Sequence, residues 1–154
     1  GVQAAVIFPQ NDLRTLVDGT LGLSFGVHLG INLQGGNELR PRLDYLQVDT
    51  EAFHVLTLHS TSRSAHCVAL GADYLKFFEG GSRGAYGVAG VGLQWWSASD
   101  PAAESTHDTA PYLQAGVGFR FDSKVGAEIV YNLGRFRSHS GTAGTIQAGI
   151  NYRF

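Results

Sequence analysis

Leu21-Gly-Leu-Ser-Phe-Gly-Val-His-Leu-Gly-Ile-Asn-Leu33 alternates without a fault. Leu21, Leu23, Phe25, Val27, Leu29, Ile31 and Leu33 occupy one phase, and Gly22, Ser24, Gly26, His28, Gly30 and Asn32 the other. Successive side chains of a strand point to opposite faces, so this period of two predicts a long strand with one apolar face and one small or polar face.

The same pattern recurs outward in both directions. It predicts strands over Val2 to Phe8, Glu38 to about Val48, Val68 to Phe78, Tyr86 to Trp96, Thr109 to Phe121, Val125 to about Phe136 and Thr145 to Phe154, which with Thr20 to Leu33 make eight. Most are close to the 9–11 residues that a tilted strand needs to cross a bilayer. The spacing calls for no helix. The connections alternate in length. Long ones (Pro9 to Gly19, Asp49 to His66, Ser97 to Asp108, Arg137 to Gly144) follow the odd strands, and short ones (Gln34 to Asn37, Glu79 to Gly84, Asp122 to Lys124) follow the even strands. One rim of turns and one rim of loops describe an up-and-down barrel with both termini on the turn side.

Composition agrees with a membrane barrel. Charged residues are 16% of the 154, where a soluble surface takes about 25–35%. Lys76 and Lys124 are the only lysines. Glycines and polar residues interrupt every apolar run well short of the roughly 20 residues of a spanning helix, so a membrane would be crossed by strands. The 21 glycines suit turns and a crowded interior, and a net charge of −2 gives nucleic acid no basic surface to bind. The lone Cys67 has no internal disulfide partner. No change in composition divides residues 1–154, which read as one barrel domain, and the absence of Met before Gly1 reads as a mature form freed of its targeting segment.

The glycines decide which face is inside. The polar phase holds Gly71 and Asp73, then Gly90, Gly92 and Gln94, then Gln114, Gly116, Gly118 and Arg120, then Gly126, Glu128, Asn132 and Gly134. A water-washed exterior has no need of so much glycine, whereas a narrow eight-stranded interior needs small residues beside a few long charged ones. The expected fold is therefore all-β, an eight-stranded antiparallel transmembrane β-barrel with polar-phase residues in the lumen. Aromatic girdles are expected at the turn side (Phe77, Phe78, Tyr86, Phe119, Phe121, Tyr152, Phe154) and at the loop side (Phe8, Tyr45, Trp95, Trp96, Phe136).

Near the C-terminal end, Thr145-Ile-Gln-Ala-Gly-Ile-Asn-Tyr-Arg-Phe154 places Gln147, Gly149, Tyr152 and Phe154 at offsets that resemble the assembly signal of outer-membrane barrels. With the strand pattern, the chain resembles the small eight-stranded bacterial outer-membrane proteins of the OmpA/OmpX type over nearly its whole length. That resemblance implies residence in the bacterial outer membrane, contact with its lipid, and delivery by periplasmic chaperones and the barrel-assembly machinery. It points to no subfamily.

The lumen set Glu38, Arg40, Arg42, Asp44, Asp73, Arg120, Glu128 and Arg153 contains both signs. Buried charges must be paired, so a structural plug is the first expectation and a narrow ion or solute path the second. His54, His59 and His66, expected in the longest loop near Asp49 and Glu51, are weak metal candidates whose spacing fits no known motif; His107 and His139 are expected in other loops. Ser138, His139 and Ser140 with Glu128 are the visible elements for a lipid A deacylase, in an order that does not match its His-x-Ser pattern. Val55-Leu56-Thr57-Leu58 suggests a strand continuing above the bilayer, whose edge would suit a protein partner. The expectation is thus a non-enzymatic barrel with a structural or surface-interaction role and no cofactor.

Overall fold

The computed structural model describes residues 1–16, 21–49, 64–99, 106–135 and 142–154, and nearly all of them are strand. In chain order come β1 (Val2–Gln10), α1 (Asn11–Leu16), β2 (Gly22–His28), β3 (Ile31–Leu33), β4 (Asn37–Asp49), β5 (Ser64–Phe77), β6 (Gly84–Ser99), β7 (Thr106–Arg120), β8 (Val125–Arg135) and β9 (Thr142–Tyr152). β2 and β3 both pair with β4, and across the break between them Leu29 N–H still donates to Pro41 O at 3.0 Å. They are two halves of one strand, which gives eight staves. The break falls beside the Arg153 guanidinium, where a Cβ on Gly30 would lie 2.4 Å from Arg153 Nη2.

Every pairing is antiparallel, and β1 bonds to both β2 and β9, so the sheet closes. The register fixes the geometry. Val125 pairs with Tyr152, Tyr152 with Val2, Val2 with Val27, Val27 with Leu43, Leu43 with Leu70, Leu70 with Leu93 and Leu93 with Pro111. Pro111 is one step past the Tyr112–Gly134 pair and so faces Arg135. A circuit that leaves β8 at Val125 thus returns to it at Arg135, a shear of ten residues. Ten residues of shear over eight staves correspond to a strand tilt of about 40°, and to an interior that side chains alone can fill.

The two phases separate as expected. Val27, Leu43, Leu70, Val91, Leu113, Val117, Ile129 and Ile150 are exposed on the outer face. Lys76 and Arg135 are exposed on this outer face, one near the turn rim and one near the loop rim. Phe78, Phe119, Phe121, Tyr152 and Phe154 form the exposed turn-side girdle, while Phe8, Tyr45 and Trp95 are exposed toward the loops.

Three girdle assignments are corrected. Phe77, Tyr86 and Trp96 point inward and are buried at 3%, 0% and 6% exposure. Period two requires this: Phe77 shares the phase of Asp73, and its pairing with Tyr86 carries that phase to β6, which also bears inward Gln94 and Trp96. Phe136 lies outside the described residues.

Two further expectations change. A short helix, α1, occupies a connection expected to need none, with Leu13 buried among the loop-side core residues and Asp12 Oδ2 accepting Thr142 N–H at 2.7 Å. β5, β6 and β7 also reach beyond the expected bounds, which makes His66 and His107 strand residues rather than loop residues. At sixteen residues, β6 rises roughly 40 Å along the barrel axis, well past the apolar band of about 25 Å. Alternation fades there because strand beyond the lipid has no apolar face to satisfy.

Tight turns set the other rim. Gly35 and Gly36 both take positive φ, 72° and 71°, in the three-residue connection between the paired Leu33 and Asn37, a left-handed conformation that glycine adopts without steric cost. In the next-to-last connection the Asp122 carboxylate accepts Val125 N–H at 2.7 Å and Lys124 N–H at 2.6 Å, and these bonds hold its pKa below the usual carboxylate range. The turn is therefore firmer above the ordinary carboxylate pKa and loosens as acid protonates Asp122 in the folded protein. Asp122→Asn should speed amide exchange at Val125 at neutral pH, with the difference from wild type vanishing in acid. Val117→Arg, in the middle of the lipid face, should cost about 2–4 kcal/mol in reversible unfolding from lipid vesicles.

Candidate functional site

β4 organises the lumen. Running from turn rim to loop rim, it presents Glu38, Arg40, Arg42 and Asp44 inward, followed by Leu46 and Val48, all buried. Charge thus fills the turn-side and middle levels, and apolar residues fill the loop-side level.

At the turn-side mouth, Glu38 accepts from Arg120 Nη1 at 2.8 Å and from Arg153 Nη1 at 2.9 Å. The Arg120 guanidinium also stands 4.6 Å from the centroid of the Phe77 ring, a cation–π contact that explains an aromatic at this depth. In the middle level, Arg40 donates to Asp73 Oδ2 at 2.8 Å and to Glu128 Oε2 at 2.9 Å. β4 and β8 stand four staves apart in a ring of eight, so the Arg40–Glu128 pair spans the full width of the barrel. Tyr86 OH donates to Glu128 Oε2 at 3.1 Å, and this second donor fixes the carboxylate. Arg42 binds Asp44 through Nε, and its Nη1 reaches Asp73 Oδ2 at 3.2 Å and Gln114 Oε1 at 3.1 Å. Gln3 Nε2 donates to the other oxygen of Asp44.

The eight lumen candidates thus stand as four arginines and four carboxylates, each in at least one ion pair. Pairing is what allows charges so deeply buried to stay ionised. Room for them comes from glycine: a Cβ on Gly71 would lie 2.1 Å from Tyr112 Oη, and one on Gly118 would lie 2.3 Å from Tyr86 Cζ.

Two parts of the interior escape a reading by charge alone. Ile7, Leu13, Leu46, Val48, Ala65, Cys67, Ala69, Trp96 and Tyr112 form an apolar cluster in the loop-side lumen, and Leu75, Phe77, Tyr86, Val88 and Val130 form another toward the turns. Several of these residues sit at positions whose inward phase is legible from a neighbouring charge, as Leu75 follows Asp73 by two. Within the polar level, Asp73 Oδ1, Tyr112 OH and Gln114 Nε2 are buried with no hydrogen-bond partner among the described residues.

His54, His59 and His139 lie outside the described residues, as do Ser138, Ser140 and Val55 to Leu58. His66 stacks on Tyr45 with ring centroids 6.0 Å apart, and its Nδ1 lies 2.9 Å from Tyr45 OH on the outer face. No cluster of three possible metal ligands occurs among the described residues. Glu128 is held inside the barrel by Arg40 and Tyr86. Gln147 and Gly149 face the lumen side of β9, whereas Tyr152 and Phe154 are exposed and meet edge to face at 5.8 Å.

No protein-family model matches the chain, and no curated protein is detectably similar to it in sequence. Similar solved structures do exist. Neisserial surface protein A is 17% identical over 99% of this chain and 94% of its own, with a TM-score of 0.64. Ail, the attachment invasion locus protein of Yersinia pestis, is 16% identical over 99% and 96%, with a TM-score of 0.62. The N-terminal β-barrel domain of Pseudomonas aeruginosa OprF is 13% identical over 97% and 96%, also at 0.62. The fold is that of the small eight-stranded outer-membrane barrels.

Removing Arg40 would leave Asp73 and Glu128 without their principal cation. Arg40→Met should therefore destabilise the barrel by about 3–5 kcal/mol, measured by urea unfolding from lipid vesicles.

Proposed function

We propose that the chain is a non-enzymatic integral protein of the bacterial outer membrane, with a structural or surface-interaction role and a lumen plugged by its own ion pairs. The plug is supported above all by Arg40, which joins carboxylates on β5 and β8 across the whole barrel width. A freely permeable lumen would have to break these pairs, and parting a buried pair costs several kcal/mol. The apolar loop-side cluster closed by Leu13 of α1 opposes water entry from the other end.

The outward surface supports membrane residence independently, because an apolar band bounded by exposed aromatics is stable only in lipid. Two of the similar folds bear names tied to the cell surface, surface protein A and the attachment invasion locus protein. By the same reading, lipid surrounds the barrel, Gln147, Gly149, Tyr152 and Phe154 address the assembly machinery after chaperone delivery, and the long connections on the loop side meet any protein partner.

The runner-up is a narrow channel, favoured by the unpaired Asp73 Oδ1, Tyr112 OH and Gln114 Nε2, which could line a thread of water. Planar-bilayer recording separates the two. The plugged barrel is expected to be silent. A steady unitary conductance that Arg40→Met enlarges would establish the channel instead. Recovery in the outer-membrane fraction, with mobility that shifts on boiling, tests the location.

A further inference from the structure

The lipid face carries a built groove. Leu39, Tyr74, Ala89, Ala115 and Tyr131 pair in series from β4 to β8, and Ala72, Val91, Leu113 and Leu133 form the adjoining row. The alanines make a floor between taller walls, and together the two rows line a depression of about 660 Å³ on the outside of the barrel. The strands are tilted, so these rows climb as they pass round. From Leu39, near the turn rim, to Leu133, near the loop rim, the lining rises through roughly 17 Å of the apolar band, so that its upper part, from Ala115 to Leu133, lies in the loop-side leaflet.

Arg135 stands at the loop-side end of this groove. It is two residues beyond Leu133 on the same outward phase and is exposed. Lys76, also on the outer face, is on the turn side, two residues beyond Tyr74 and past the deep end of the groove. Tyr131, in the upper wall, is held by a hydrogen bond from Asn11 Nδ2 at 3.3 Å. An apolar channel that descends through the loop-side leaflet from a cation where headgroups begin matches the two ends of a lipid.

We propose that the loop-side part of this groove is a binding site for one acyl chain of a lipid in the loop-side leaflet, whose phosphate is held by Arg135. The proposal builds on membrane residence with the long connections on the outer side. Small side chains let the chain lie close to the sheet and gain dispersion contacts that a taller face would deny it. Arg135 adds an attraction for the phosphate that hydrocarbon alone cannot supply.

The test is native mass spectrometry of the refolded full chain with three probes: dimyristoyl phosphatidic acid, dimyristoylglycerol and dihexanoyl phosphatidic acid. The long-chain phosphatidic acid should be retained about fivefold more than the uncharged lipid with the same chains, and the short-chain acid least of all. Arg135→Gln should equalise the two long-chain probes. Ala115→Leu, which fills the floor, should lower retention of both, while Lys76→Gln should change neither. Equal retention of the long-chain probes by wild type, full selectivity in Arg135→Gln or undiminished binding by Ala115→Leu would each overturn the site. Displacement by inorganic phosphate alone would also overturn it, because it would reveal a free-anion site. Heat-dependent gel mobility shows separately that each variant has folded and that membrane insertion, on which the proposal rests, still holds.

Discussion

A sheet in hydrocarbon has no water to take up its edge amides and carbonyls, so it must bond to itself all the way round. Pairing of β1 with β9 meets that requirement, and the remaining features follow from it. With eight staves and a ten-residue circuit, the interior has a fixed, narrow bore. Large side chains can enter only where glycine stands beside them, as Tyr112 lies over Gly71 and Tyr86 over Gly118. Composition, including the 21 glycines, is a consequence of closure as much as of turns.

The same bore dictates how charge is housed. An arginine at Arg40 is long enough to reach the opposite wall, and it finds Glu128 there and Asp73 beside it. Desolvating these groups is unfavourable and is offset only because nearly every donor meets a carboxylate oxygen. The four arginines and four carboxylates of the named set balance one another in formal charge. The apolar clusters above and below act differently, excluding water by packing rather than by pairing.

Most of the architecture was legible in the sequence because period two is a rigid consequence of the strand backbone. Leu21 to Leu33 alone declared the alternation, and the glycine-rich phase declared the inside. The differences have two physical causes. Residue type puts the aromatics Phe77, Tyr86 and Trp96 in the girdles, whereas the phase they share with inward Asp73 on β5 and Gln94 on β6 puts them in the lumen. His66 and His107 were given to loops because the strands lose their apolar face above the bilayer. The ion-pair partners in the lumen are not legible in the sequence: pairing Arg40 with Glu128 requires the ring order, which periodicity does not contain. The outer groove was hidden for the same reason, since Ala72, Ala89 and Ala115 become neighbours only through register.

Closure between the earliest and latest strands also has a meaning in time. Residues such as Ala4 and Ile150 lie side by side in the finished wall yet are separated by almost the whole chain. Each hairpin along the way can form locally, but the seam cannot be sewn until β9 has been delivered. Contacts of such long sequence separation are slow to form, so the half-built barrel must survive with two raw edges. The arrival of β9 is therefore the step that decides closure.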